Sequence, residues 1–205
     1  MTPRPAQPAD AAAVDRPRRG RPRDEELTGR LLHGALDLVA EQGLGRLNAD
    51  ALVARTGSGR SGLYRRWSDM SSLVADALVQ QPLVPAPADT GSLRGDLLAL
   101  FEPWRHPLTA AEQTAAALLG PAGHDAALRS ALDEAVVEPL AAVVAAVVEQ
   151  EARRGRPVPA DRQRLVGVVV QALWWERYVT GRPGSTEAEV AQIVDRAVLP
   201  LLVDG

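Results

Sequence analysis

An all-α fold of about nine helices is what this chain predicts, on three observations. Apolar residues recur at helical spacing in every patterned stretch, no stretch alternates apolar and polar residues as a half-buried strand does, and no Asn-Gly hairpin signal joins two apolar runs. Hydrophobic residues make up 46% of the 205 and charged ones 24%, so a sizeable core can be buried. The length allows one large domain or two small ones. All 23 basic residues are arginine and isoleucine occurs once, at Ile193. That bias reads as the codon usage of a GC-rich genome, so arginine abundance alone carries little weight.

Residues 1–15 are rich in Pro and Ala without periodicity and are expected to be disordered. Residues 16–23, RPRRGRPR, add five arginines, and the whole of residues 1–23 reads as a basic arm. A helix is expected from Asp24, which can cap it, with Glu25 and Glu26 well placed against the dipole of the first turn. Leu27, Leu31, Gly34, Ala35, Leu38 and Val39 give it one apolar face, and Gly43 ends it.

Residues 48–67, NADALVARTGSGRSGLYRRW, read as a helix-turn-helix. Asn48 opens the first helix, which turns Leu52 and Val53 inward. Thr56-Gly57-Ser58 breaks it, and Gly57 can take a positive φ without steric cost. The second helix, expected over residues 59–67, puts small and basic residues first, then Leu63 inward and Tyr64, Arg65 and Arg66 outward. Asp69 starts a further helix through Leu73, Ala77 and Leu78 to Gln80, which completes a domain over residues 24–80.

Residues 82–89, PLVPAPAD, are the clearest linker. A second domain over residues 90–205 follows. A helix over residues 93–102 stops near Pro103. Thr109 and Glu112 form a capping-box pattern that opens a short helix ending by Gly120-Pro121. Residues 124–154 are long and periodic, with Pro139 inside, where a kink or break is expected. Residues 162–179 are strongly apolar, and Thr186 with Glu189 opens a last helix to about Val203.

Several function classes find no support. Without cysteine there are no disulfides, thiolate nucleophiles or Cys-type zinc sites. His33, His106 and His124 are scattered, with no HExxH pair, and no glycine-rich phosphate loop follows a strand. No catalytic residue, metal or cofactor is therefore assigned. No run reaches the ~18 apolar residues a membrane span needs, and the N-terminus has no secretory stretch, so a soluble, cytoplasmic protein is expected.

Charge is divided along the chain. The net value is −3, yet residues 1–68 carry twelve arginines against eight carboxylates, and residues 69–205 carry eleven against eighteen. One end can meet an anionic polymer while the other stays in solution. Small residues let a helix approach a groove and basic ones are drawn to phosphates, which points to duplex DNA as the partner. Arg60, Ser61 and Gly62 stand at the front of the second helix, where side chains reach base edges. Arg60 suits a guanine or a phosphate, and Tyr64 a phosphate. Asn48, Arg65 and Arg66 complete the candidate contacts of this domain. In the arm, Arg19-Gly20-Arg21-Pro22 resembles an AT-hook type of minor-groove reader, which makes Arg19 and Arg21 candidates. Gly-Arg-Pro recurs at residues 155–157 and 181–183, so position, directly before the DNA-binding helices, is what distinguishes the first copy.

Residues 25–78 resemble the N-terminal DNA-binding domain of the TetR family of bacterial transcriptional regulators. The resemblance is carried in order by LLHGALDLVAEQG, NADALVARTG, LYRRW and SSLVADAL. It departs from the family at three places. Ser58-Gly59 stands where Val-Ser is usual, Trp67 where Phe is usual, and Asp69-Met70 where a phosphate-contacting Lys is common. The last implies one backbone contact fewer and more reliance on the arm.

The resemblance implies a repressor that binds a pseudo-palindromic operator as a homodimer, with recognition helices about one helical turn apart, and leaves it when a small-molecule inducer binds. By position the dimer surface is the last two helices, through Leu165, Val168, Val169 and Ala172, then Val190, Ile193, Val194, Ala197, Val198 and Leu201. The inducer pocket would lie in the second domain, with Trp104, His106, Gln171, Trp175 and Tyr178 as candidate ligand contacts. Trp174 and Trp175, about 100° apart on a helix, cannot both face it. The alternative is a helical ligand-binding or protein-interaction module that has lost specific DNA binding, a reading sustained by Gly59, Gly62 and Met70.

Overall fold

The computed structural model describes residues 21–181 and 183–203, with side chains from Asp24 onward, so Arg19 and most of the arm lie outside the described residues. Among the described residues there are ten α-helical segments and no strand, and two of the segments run on into one another to leave nine rods. Helix α1 (Arg21–Gln42) begins three residues before the expected Asp24, so Arg21 belongs to its first turn instead of to the arm. Pro22 suits that place, because its fixed φ is already helical and the N–H it lacks has no helical partner there.

Local rules account for most helix ends. Asn48 caps α2 (Ala49–Thr56) by accepting from Ala51 N–H at 3.0 Å, and Gly57 closes it in the left-handed region with φ 65°. Asp69 caps α4 (Met70–Val79) in a reciprocal pair with Ser72. Thr109 with Glu112 opens α6 (Ala110–Leu118), and Thr186 with Glu189 opens α10 (Glu187–Ile193), both as full capping boxes. Between α2 and α4 stands α3 (Arg60–Tyr64), shorter than the expected residues 59–67. Gly59 offers no side-chain acceptor at its start, and at its end the chain tightens so that Trp67 enters the core.

Helix α5 (Leu93–Leu100) gives way to a 3-10 turn (Glu102–Arg105) that contains Pro103. Pro139 neither breaks nor sharply ends the long periodic stretch. Helix α7 (Ala126–Leu132) continues into α8 (Glu138–Arg153) through a π-turn (Asp133–Val137), where Glu138 N–H reaches back to Asp133 O. A proline ring clashes with the carbonyl four residues earlier, and one extra residue in the preceding turn moves that carbonyl aside. The same device recurs at the same offset before Pro200, where α10 passes through a π-turn (Val194–Val198) into a final 3-10 turn (Leu199–Leu201).

In the N-terminal unit α1 packs on α2 and α4, and bidentate hydrogen bonds from Arg55 to Glu41, at 2.7 and 2.5 Å, fasten α2 to α1. The two units meet where α1 lies along α6 and α4 along α7. Beyond the junction, α9 (Ala160–Thr180) packs on α6 and α8, and the last helix on α5, the Glu102–Arg105 turn and α9. One hydrophobic core runs through both units, from Leu31 to Leu202. In its distal half Phe101, Trp104 and Trp174 interlock with ring centroids 5.1 to 6.0 Å apart.

The last helix corrects an expectation. Val190, Val194 and Val198, assigned to a dimer surface, are buried within their own subunit. Ile193 and Leu201 are half-buried, and only Ala197 of that set is exposed. An apolar face at helical spacing has two possible partners, neighbouring elements of the same chain or another chain, and here α5, the Glu102–Arg105 turn and α9 take it.

Candidate nucleic-acid interface

The recognition segment is positioned by what lies behind it. Leu63 is fully buried, and Trp67 is buried with its indole N–H donating to Asp76 Oδ2 of α4 at 3.0 Å, a bond that a phenylalanine could not make. With those two side chains inward, α3 turns Arg60, Ser61 and Tyr64 outward, followed by Arg65, all of them exposed. Tyr64 is 55% exposed, a large aromatic presented to solvent.

Two candidates face elsewhere. Arg66 is only 12% exposed. Its Nε donates to Thr28 Oγ1 at 2.9 Å and its Nη1 to Gly62 O at 2.7 Å, and its guanidinium pairs with Asp24. It therefore pins the recognition segment to α1. Gly62 is half-buried, and a Cβ there would meet Leu27 at 3.4 Å, so this glycine faces α1 and not the outer edge. Asn48 is exposed, yet both ends of its amide are engaged: Oδ1 accepts from Ala51 and Nδ2 donates to Arg46 O at 3.1 Å.

Carboxylates sit beside the outward arginines. Arg60 pairs with Asp50 of α2, and Arg65 donates to Asp24 Oδ1 at 3.1 Å. Asp69, where a basic residue was expected from the resemblance, is the cap of α4. The N–H of Ser72, joined by the Ser68 and Ser72 hydroxyls, holds its carboxyl below the usual range. The position is occupied by a folding requirement.

The candidate ligand contacts of the C-terminal unit do not come together. Trp104 and Tyr178 are buried in the core, where Trp104 Nε1 finds no hydrogen-bond partner among the described residues. Burial, and then the charge of Glu112, push the Tyr178 hydroxyl well up from its ordinary value. His106 is exposed, with Nε2 3.3 Å from Glu102. Trp175 is half-buried, its ring 5.9 Å from that of Tyr178. Only Gln171 lines a sizeable cavity, a groove of about 540 Å³ between α8 and α9. Leu140, Val144 and Val148 form one wall, Gly167 and Val168 the other, and Gln163, Arg164 and Gln171 supply its polar groups. Periodicity alone does not tell a pocket aromatic from a core one, whereas a glycine inside the apolar stretch of α9 is a signal that could have marked the groove.

Beside the groove α9 carries an uncovered apolar stripe. Leu165, Val168 and Val179 are 49%, 66% and 73% exposed, and Ala172 and Trp175 complete a row at alternating spacings of three and four residues. That is the pattern of a helix seam awaiting another helix. Among the described residues no cluster of His, Cys, Asp or Glu suits a metal, and no helix is long and apolar enough to cross a membrane.

Comparison with known proteins adds sequence and fold. Residues 87–197 match the family described as Tetracyclin repressor-like, C-terminal domain, and residues 31–77 match Bacterial regulatory proteins, tetR family. An uncharacterized HTH-type transcriptional regulator of Mycobacterium tuberculosis is 30% identical over 183 residues, 88% of each chain. The DNA-binding transcriptional repressor TetR of Mycobacteroides abscessus is 29% identical over 187 residues, 89% of this chain and 97% of that one. Among solved structures, TetR family transcription regulator SCO0332 superposes with a TM-score of 0.57 at 24% identity, over 84% of this chain and 97% of that one. Multidrug binding protein EbrR, complexed with ethidium, superposes at 0.59 and 18% identity, over 87% and 99%. At these identities the superpositions show a shared fold.

Proposed function

The chain belongs to the TetR family of bacterial transcriptional regulators, and from that premise we propose that it is a cytoplasmic, non-enzymatic repressor that grips a pseudo-palindromic operator as a homodimer. One observation carries the DNA-binding reading. Arg60, Ser61 and Tyr64 of α3, with Arg65 just after it, form an edge turned away from the subunit, on a segment pinned from behind by Leu63, Arg66 and Trp67. Arg60 and Tyr64 then meet base edges or phosphates, and Arg65 the backbone. The arm with Arg19 would follow the adjacent minor groove, as its position before α1 suggests.

In this reading the exposed stripe on α9 supplies the dimer contact. A small molecule that favours a dimer with the wrong spacing of recognition helices would release the operator, provided it binds the two geometries with different affinity.

A salt titration of duplex binding by fluorescence anisotropy tests this reading. Affinity falls log-linearly with salt, with a slope of about −0.9 per phosphate neutralised. Arg60→Ala with Tyr64→Phe abolishes binding to a selected operator and leaves helicity unchanged. A flat salt response identifies the chain as a binding module without DNA specificity, and unaltered affinity in the double variant removes α3 as the reader.

A further inference from the structure

We propose that the groove between α8 and α9 is a site for an amphipathic carboxylate, with the apolar body along the trough and the anionic head on Arg164. The volume, about 540 Å³, is that of a small-molecule site. Its walls are aliphatic, and among the described residues no carboxylate lines it and Arg164 is its only charged group. Several other arginines of the C-terminal unit, Arg94, Arg154, Arg156 and Arg177 among them, each pair with a carboxylate. Arg164 forms no ion pair or hydrogen bond among the described residues. A cation left unpaired at the rim of an apolar trough selects an anion whose remainder is apolar.

The floor of the trough is made by omission. Gly167 lies inside α9, where glycine weakens a helix relative to alanine, and a Cβ there would meet nothing within 4 Å. Packing inside the subunit therefore does not require the glycine, and its missing side chain is what deepens the groove. Gln171 stands seven residues beyond Arg164, about 10 Å along the helix axis, so the trough suits a chain of medium length. Val168 belongs both to the groove and to the exposed stripe of α9, which places a bound molecule against the proposed dimer contact. The binding site stands on this geometry alone, and its regulatory consequence rests on the repressor reading above.

Calorimetry on the full chain with sodium decanoate, decylamine and decanol tests the site. Decanoate binds once per chain and at least tenfold more tightly than decylamine. Arg164→Gln weakens decanoate about tenfold while decanol is unaffected. Gly167→Leu fills the trough and abolishes decanoate binding, with melting temperature and helicity at or above those of the parent. Equal affinity for the anion and the cation, or unaltered decanoate affinity in both variants, overturns the proposal. So does a groove that takes no decanoate and whose Gly167→Leu variant loses the dimer, since a second copy of the chain then occupies it. Operator binding measured in parallel separates the two readings. DNA retained without any response to decanoate defeats this site alone, and decanoate bound by a chain that never binds DNA defeats the repressor reading alone.

Discussion

The hydroxyl of Thr114, fully buried on α6, donates to the carbonyl of Leu36 on α1 at 3.1 Å, so a hydrogen bond made inside the core ties the C-terminal unit to the DNA-binding unit. Ala110 O, one turn back on α6, lies 2.9 Å from the same hydroxyl, and the two carbonyls share its single proton. Thr114→Val keeps the shape and removes the proton. It is expected to cost about 1 kcal/mol and to lower the melting temperature by about 2–4 °C. Thr114→Ser recovers part of that loss in thermal unfolding if the bond is the cause, and recovers nothing if the methyl packing is.

Asp50 competes with DNA for Arg60. Its carboxylate pairs with that guanidinium across the α2–α3 turn, and both side chains are well exposed. Asp50→Asn is expected to tighten operator binding by about threefold at low salt, an advantage that shrinks as salt rises. Anisotropy at two salt concentrations reads this directly. Weaker binding by the variant would mean that Asp50 orients Arg60 for the operator instead of holding it back.

The parts of this structure legible in the sequence are those decided within a few residues. Asn48, Asp69, Thr109 and Thr186 each cap the helix they precede, and Gly57 reverses the chain where a positive φ was required. What escaped depends on partners far along the chain. Arg66 looks like a DNA contact until Thr28 and Asp24, some forty residues earlier, claim it. Val190, Val194 and Val198 have the spacing of a dimer face, but α5, the Glu102–Arg105 turn and α9 of their own chain cover them. His106 and Trp104 are neighbours in sequence, and a 3-10 turn sends one to the surface and the other to the core. The π-turn before Pro139 is a response of the backbone for which the residues themselves leave no periodic mark.

The stripe on α9 makes a prediction about mass. Val168 is a well-exposed member of that row, and a charge there would be desolvated by any partner helix. Val168→Arg is expected to shift sedimentation toward the 21.8 kDa of a single chain, with unchanged helicity and at least tenfold weaker operator binding. A variant that remains dimeric places the contact on another face.

Acid stability should depend on Arg154. Its guanidinium donates to Asp96 at 2.8 Å and to Asp89 at 2.6 Å, and also meets Glu151, joining the start of α5 to the end of α8. Burial drives the Asp96 carboxyl up, but hydrogen bonds from Thr90 and Arg154 more than reverse this, and its pKa ends below the ordinary value of 3.8. The Arg156 hydrogen bond, opposed by burial and aided by Arg154, likewise holds Glu151 below 4.5. Depressed folded values mean that this stabilisation is complete above the ordinary carboxylate range and disappears as pH falls through the lowered folded values. Unfolding free energy should therefore be level from neutral pH to about 5 and decline below 4.5. Arg154→Gln is expected to lower the unfolding free energy at pH 7, because Asp96 stays buried without its cation, and to flatten the acid limb. An equally steep limb in the variant would assign the acid sensitivity to other carboxylates.

Glu112 and Arg177 form a buried ion pair between α6 and α9, and each has a second task. The other oxygen of Glu112 accepts from Thr109 N–H at 2.8 Å to complete the cap of α6, and Arg177 donates to Pro103 O at 2.9 Å to hold the Glu102–Arg105 turn. Removing one member leaves the other charged and buried, so Arg177→Met is expected to cost about 3–5 kcal/mol. Glu112→Gln retains an acceptor for the cap and still strands the guanidinium. With Arg177→Met in place, Glu112→Gln removes the stranded charge, and the double variant should be more stable than the sum of the single losses by about 2 kcal/mol. Chemical denaturation of the four proteins measures that coupling. Strict additivity would mean that the two side chains contribute through their separate bonds to Thr109 and Pro103, and that the pair itself adds nothing to the α6–α9 contact.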